Sequence, residues 1–86
     1  MTDIAATLAE RGGRYGVFAE QAMIEQQIMN TMRSVPGWAK LACDQKSALD
    51  MIAVKVARIL NGDANYHDNW HDIIGYAKLV ADRVSA

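Results

Sequence analysis

The fold is decided by the stretch KVARILNGDANYHDNWHDIIGY, which runs from Lys55 to Tyr76. Apolar residues recur at helical spacing on both sides of Asn61-Gly62, a pair that is typical of a helix end. Two helices joined by so short a turn are expected to lie antiparallel. The stretch also concentrates lysine, arginine, histidine and aspartate around this turn, so it is the first place to look for a binding site.

The hairpin is predicted to comprise a helix from about Asp44 to Asn61 and another that begins between Asn65 and Asp68 and ends near Val84. Asp44 is expected to cap the first of these helices, because a carboxylate there accepts from the free backbone N–H groups. The second has its apolar residues three and four positions apart, as in an amphipathic helix.

Two more helices are predicted before the hairpin. One runs from about Thr2 to Arg11 and is expected to end at the glycine pair that follows it. The other covers about Val17 to Val35 and is stopped by the proline that comes next. The sequence RGGRYG, from Arg11 to Gly16, is predicted to be the loop between them.

The predicted fold class is therefore all-α, a small bundle of about four helices in a single domain over residues 1–86, closed by a C-terminal antiparallel hairpin. A chain of 86 residues buries a small core, and its only cysteine, Cys43, has no partner for a disulfide. We therefore expect homo-oligomerisation, as a dimer or higher, to complete the bundle.

Composition limits the compartment and the partners. The net charge is −1, with nine basic and ten acidic residues and no basic run, which gives nucleic-acid binding little support. No apolar run approaches the roughly 20 residues of a membrane span, and the first residues do not have the layout of a secretory signal. A cytoplasmic location without membrane partners is expected.

Two cations and two carboxylates form the main candidate site. Lys55 and Arg58 share one helix face, and Asp68 and Asp72 share a face of the next helix. The aspartates are candidate Mg²⁺ ligands, or else Asp68 caps its helix and Asp72 favours its first turn. The cations either form ion pairs with these aspartates or hold the phosphate oxygens of a ligand.

Two other pairs are candidate ligand-binding residues. His67 and His71 are four apart, a spacing found in two-histidine metal sites, but no third ligand follows them, so solvent-facing histidines are the alternative. In the predicted loop, Arg14 and Tyr15 are placed to clamp and stack a phosphorylated or nucleobase-bearing molecule. The alternative is a plain turn with Tyr15 packed on the bundle.

The segments LAERGGRYG…F and KVARILNGDANYHDNWHDIIGYAKLV resemble a family of small bacteriophage and prophage proteins with no established activity. More distantly, the second half is similar to nucleotide-modification-associated domains and MazG-like all-α NTP pyrophosphohydrolases. That resemblance implies a Mg²⁺-dependent enzyme of nucleotides, and its pattern is matched by Lys55, Arg58, Asp68, Asp72, Gly75 and Tyr76. The ExxE pair of those enzymes is missing, because Glu20 and Glu25 are five apart, which favours a related fold with weakened or absent catalysis.

Three functions follow from these observations. The first is a homo-oligomeric phage accessory protein that binds an anionic, nucleotide-like ligand without catalysis or cofactor, as in sequestering a signalling nucleotide of the host. The second is a MazG-like NTP pyrophosphohydrolase that requires Mg²⁺. The third is an interaction module that acts on a host protein in the host cytoplasm.

Overall fold

The computed structural model describes residues 3–85, and within that range the chain forms helices and no strand. The helices are α1 (Ile4–Tyr15), α2 (Phe18–Arg33), α3 (Pro36–Ala39), α4 (Cys43–Asn61) and α5 (His67–Val84). The all-α prediction is confirmed. None of these helices is long and apolar enough to cross a membrane.

Helices α4 and α5 form the antiparallel hairpin that the sequence predicts. Asp44, at the start of α4, is bound by Arg83, at the end of α5. Lys55, further along α4, is bound by Asp72, near the start of α5. Helix α2 packs on another side of α4, where Arg33 donates to both carboxylate oxygens of Asp50 at 3.0 and 2.9 Å.

The predicted end of the first helix is wrong. Helix α1 continues through Gly12 and Gly13 to Tyr15, so most of the expected RGGRYG loop is helical. Each glycine costs a helix roughly 1 kcal/mol relative to alanine, but the last turn of α1 is held from outside, since Asp63 N–H donates to the carbonyl of Arg14 at 2.7 Å. The predicted start at Thr2 lies outside the described residues.

The predicted cap of α4 is also wrong, and Asp68 does not cap α5, which was one of its two interpretations. The residue that caps α4 is Ala42, whose N–H donates to the Gln45 side chain at 2.8 Å, while Asp44 lies in the first turn. Tyr66, rather than Asp68, occupies the cap position of α5. Pro36 begins the short helix α3, because proline suits the first turn of a helix.

The interior of one chain is small. Its buried apolar residues within residues 3–85 are three alanines, Ala48, Ala53 and Ala57. The buried polar residues are equally few, Gln21, Lys55 and Asn69. Many larger apolar side chains lie at least half exposed, among them Ile4, Leu8, Phe18, Trp70, Ile74, Leu79 and Val84.

Candidate functional site

The site is built where the end of α1 meets the turn between α4 and α5. Asn61 donates through its side-chain amide to the carbonyls of Tyr15 and Val17, at 2.9 Å each. Gly16 has a φ of 78°, in the left-handed region that glycine favours. A Cβ on Gly62 would lie 2.1 Å from the carbonyl oxygen of Arg14, so only glycine fits there. These contacts fix the position of Tyr15 beside α4.

The resulting arrangement places Tyr15 against Arg58. The guanidinium carbon of Arg58 lies 4.4 Å from the centre of the Tyr15 ring, a cation–π distance. Within residues 3–85 Arg58 forms no ion pair, and its buried Nε has no hydrogen-bond acceptor. A cation so placed has unused capacity for a negatively charged partner.

Arg58 and Tyr15 line a cavity of about 520 Å³. Arg11 lies on its wall and, within the described part of the chain, makes no ion pair or side-chain hydrogen bond. No acidic side chain is among the lining residues, which are Leu8, Arg11, Gly12, Tyr15, Gly16, Val17, Phe18, Gln21 and Arg58. The cavity, which we call the arginine cavity, therefore combines two guanidinium groups with two aromatic rings and no negative charge.

Arg14 does not belong to the arginine cavity. It donates to the Tyr66 hydroxyl at 2.8 Å and forms an ion pair with Glu10 at 2.5 Å. Tyr66 in turn donates to Asp68 at 2.9 Å, and this hydrogen bond raises the pKa of the tyrosine. The predicted partnership of Arg14 with Tyr15 is thus replaced by a network that ties α1 to the start of α5.

Lys55 is also engaged elsewhere. Its side chain is buried along most of its length, and its Nζ lies 2.9 Å from a carboxylate oxygen of Asp72. The hydrogen bond from Lys55 holds the pKa of Asp72 below that of an ordinary aspartate. Lys55 thus forms the ion pair that was one of the two interpretations of these charges, whereas Arg58 forms no ion pair within residues 3–85.

Asp68 and Asp72, the candidate Mg²⁺ ligands, each contact another side chain. Asp72 is bound to Lys55 and Asp68 accepts from Tyr66, so each carboxylate already has a donor. Within residues 3–85, no group of three or more histidine, cysteine, aspartate or glutamate side chains is placed to hold a metal ion. Mg²⁺ sites in proteins need octahedral oxygen ligation, usually with carboxylates free to accept it.

His67 and His71 lie next to each other on the outside of α5, with ring centres 5.6 Å apart. His71 borders a shallow depression of about 400 Å³ beside Asp72, away from the arginine cavity. The structure therefore separates the predicted ligand-binding residues. Tyr15 and Arg58 share one cavity, whereas Arg14, Lys55, His67 and His71 lie outside it.

The sequence interpretation missed Arg11, Phe18 and Gln21. The signal for Arg11 was present, because Arg11 and Tyr15 are four residues apart and share a face if the helix continues. The glycine pair hid that relation by suggesting a helix end. Gln21 is 4% exposed and donates to Glu25 at 3.3 Å, and nothing in its local sequence distinguishes it from a solvent-facing glutamine.

A family model described as a domain of unknown function (DUF6378) matches residues 5–84 of the chain. No curated protein and no solved structure matches it.

Proposed function

The chain belongs to this family of domains of unknown function, and we propose that it binds an anionic, nucleotide-like ligand in the arginine cavity, without catalysis, as part of a homo-oligomer. The observation that carries the proposal is Arg58. Its guanidinium is partly buried against Tyr15 and has no carboxylate partner among the described residues. A phosphate group would supply the missing charge and accept hydrogen bonds from the planar guanidinium.

The other walls of the cavity suit the rest of such a ligand. Its volume of about 520 Å³ lies within the usual range for small-molecule sites, about 300–1,000 Å³. Phe18 is 72% exposed at the rim and offers an aromatic face for a base. Gly12 presents bare backbone on the wall, and Arg11 provides a second guanidinium.

The proposal favours binding over hydrolysis. The aspartates that a MazG-like pyrophosphohydrolase would use are held by Lys55 and Tyr66. The resemblance to phage and prophage proteins suggests the setting, which is the cytoplasm of a bacterial host. There, a protein without catalysis would act by lowering the free concentration of a nucleotide signal.

Isothermal titration calorimetry against ATP, GTP, AMP, cyclic dinucleotides and inorganic pyrophosphate tests this proposal. We expect saturable binding to at least one nucleotide. Arg58→Gln and Arg11→Gln should each weaken it by about tenfold or more, because a hydrogen bond to a charged group contributes roughly 1.5–3 kcal/mol. Lys78→Gln is the matched control, since Lys78 is an exposed cation on α5 that pairs with Asp82 and is not among the residues that line the cavity.

Two results would contradict the proposal. The first is no heat of binding across the panel with a helical, correctly folded protein. The second is equal weakening by Arg11→Gln and Lys78→Gln, which would mean a diffuse charge effect. Pyrophosphate release from a nucleoside triphosphate in the presence of Mg²⁺, lost in Asp72→Asn, would instead support the hydrolase.

A further inference from the structure

Helix α5 carries an apolar stripe that nothing within the described chain covers. Its members are separated alternately by four and three residues and are all exposed: Trp70, Ile74, Ala77, Ala81 and Val84. Ile74 is 65% exposed and Val84 is 52% exposed. An average spacing of 3.5 residues is the repeat of helices that pack side by side along their length.

Helix α4 carries a second stripe with the same repeat, made of Leu49, Ile52, Val56 and Ile59. Between the two stripes lies an apolar groove of about 370 Å³, in which the one polar residue is Gln45 and no residue is charged. Two ion pairs, Lys55–Asp72 and Asp44–Arg83, join α4 to α5 through side chains that belong to neither stripe. The two stripes lie side by side on one face of the hairpin, which we call the hairpin face. On α4, Leu49 is exposed and the other three residues of the stripe are half-buried.

The area of the chain supports a missing partner. A compact monomer of 9.5 kDa is expected to expose about 5,000 Å², whereas this chain exposes 5992 Å². The excess of roughly 1,000 Å² is close to the area that one partner buries in a standard interface, about 800 Å². The radius of gyration of 14.8 Å likewise exceeds the roughly 12 Å of a compact domain of this length.

A second copy of the chain fits this face by its own pattern. In a four-helix bundle, each pair of helices presents two adjacent apolar stripes with the same repeat to the other pair. A twofold axis brings the same surface of both chains together. The apolar residues of one hairpin face then pack against the apolar residues of the other. The small side chains of Ala77 and Ala81 let the two hairpins approach closely.

We propose that the hairpin face pairs with the hairpin face of a second copy, so that the main apolar core of this protein is a four-helix bundle formed between two chains. In this arrangement the three buried alanines stabilise each hairpin, and the larger apolar residues of the hairpin face form the core of the dimer. The inference rests on the homo-oligomeric part of the proposed function and names its interface. It does not depend on ligand binding, because the groove and the arginine cavity share no residue.

Light scattering coupled to size exclusion tests the dimer on the full chain without ligand. We expect a mass twice the 9.5 kDa of one chain, and Ile74→Lys should reduce it to that of one chain. Leu79→Lys is the matched control, because Leu79 lies on the same helix and is 71% exposed but belongs to neither stripe nor groove. It should leave the dimer mass unchanged.

The outcomes separate the interface from the ligand site. Should Ile74→Lys lose helicity as it dissociates, while Leu79→Lys does not, the proposal is supported, since lysine at an exposed position would not unfold a monomer. A wild-type protein that has the mass of one chain at tens of micromolar overturns the proposal, even if a host protein binds the hairpin face instead. A dimer that survives Ile74→Lys and Ala77→Arg overturns the location. If a monomeric wild type binds a nucleotide, the dimer is overturned and the proposed ligand binding in the arginine cavity still holds.

Discussion

Lys55 and Arg58 lie one helical turn apart on α4 but differ in their partners. Lys55 reaches Asp72 at 2.9 Å, and this ion pair links the hairpin helices near their shared end. Arg58 instead stacks on Tyr15 and forms no ion pair within residues 3–85, although its charge helps to lower the pKa of Asp72. The first cation is therefore used by the fold, and the second is available to a ligand.

The Lys55–Asp72 pair should make stability depend on pH at the acidic end. The hydrogen bond from Lys55 lowers the pKa of Asp72 in the folded state below the ordinary aspartate value of about 3.9. Its contribution is therefore complete above about pH 3.9 and is lost as the pH falls through the lowered folded-state value. Urea denaturation at pH 7 and at several values below 4 should show a smaller acid-induced loss for Asp72→Asn than for the wild type.

This role of Asp72 would be contradicted if Asp72→Asn lost as much stability in acid as the wild type. Asp44→Asn provides a parallel case, because the hydrogen bond from Arg83 lowers the pKa of Asp44 in the same direction. Both pairs join α4 to α5, so each variant reports on one end of the hairpin.

At the scale of elements, the α1–α2 junction and the α4–α5 turn are held by backbone contact. Gly16 lies against the backbone of Asn61, and Gly62 lies against the backbone of Arg14 and Tyr15. A Cβ on Gly16 would be 2.1 Å from the Asn61 carbonyl oxygen. Asn61 and Asp63 add hydrogen bonds across the same contact. This contact, rather than the local preference of the glycine pair, decides where α1 ends.

Gly62→Ala should therefore destabilise the domain by about 1–3 kcal/mol, the usual cost of overpacking, because its Cβ meets the backbone of α1. Gly13→Ala is the matched control. Gly13 is inside α1, a Cβ there meets nothing within 4 Å, and alanine should stabilise the helix by roughly 0.5–1 kcal/mol. Urea midpoints at constant slope measure both, and a destabilising Gly13→Ala would contradict the helical assignment of that glycine.

At the scale of the whole molecule, the described chain has little core of its own, since the buried apolar residues within residues 3–85 are three alanines. If the proposed dimer forms, the free energy of folding depends on association, because the larger apolar residues of the hairpin face are removed from water only when a second chain covers them. Dimer formation and the stability of the fold are then expected to change together.

The melting temperature of the wild type should consequently rise with chain concentration, by several degrees over about two decades. Ile74→Lys should melt at a lower temperature that is independent of concentration, as expected of a monomer. Circular dichroism at 222 nm over a dilution series measures this. A concentration-independent wild type would mean that the single chain holds its fold alone.

Sequence patterns alone determined the all-α class, the hairpin of α4 and α5 and the start of α5 after Asn65, because helical periodicity and the Asn61-Gly62 stop are local signals. The antiparallel hairpin also predicted that Asp68 or Asp72 could pair with Lys55 or Arg58, and the structure selects Lys55 and Asp72. The end of α1, the cap of α4 and the membership of the arginine cavity were decided by tertiary structure. Each depends on groups far apart in the chain, such as Asp63 on Arg14 and Tyr15 on Arg58, and the energy of such contacts outweighs the local preference of a glycine or an aspartate.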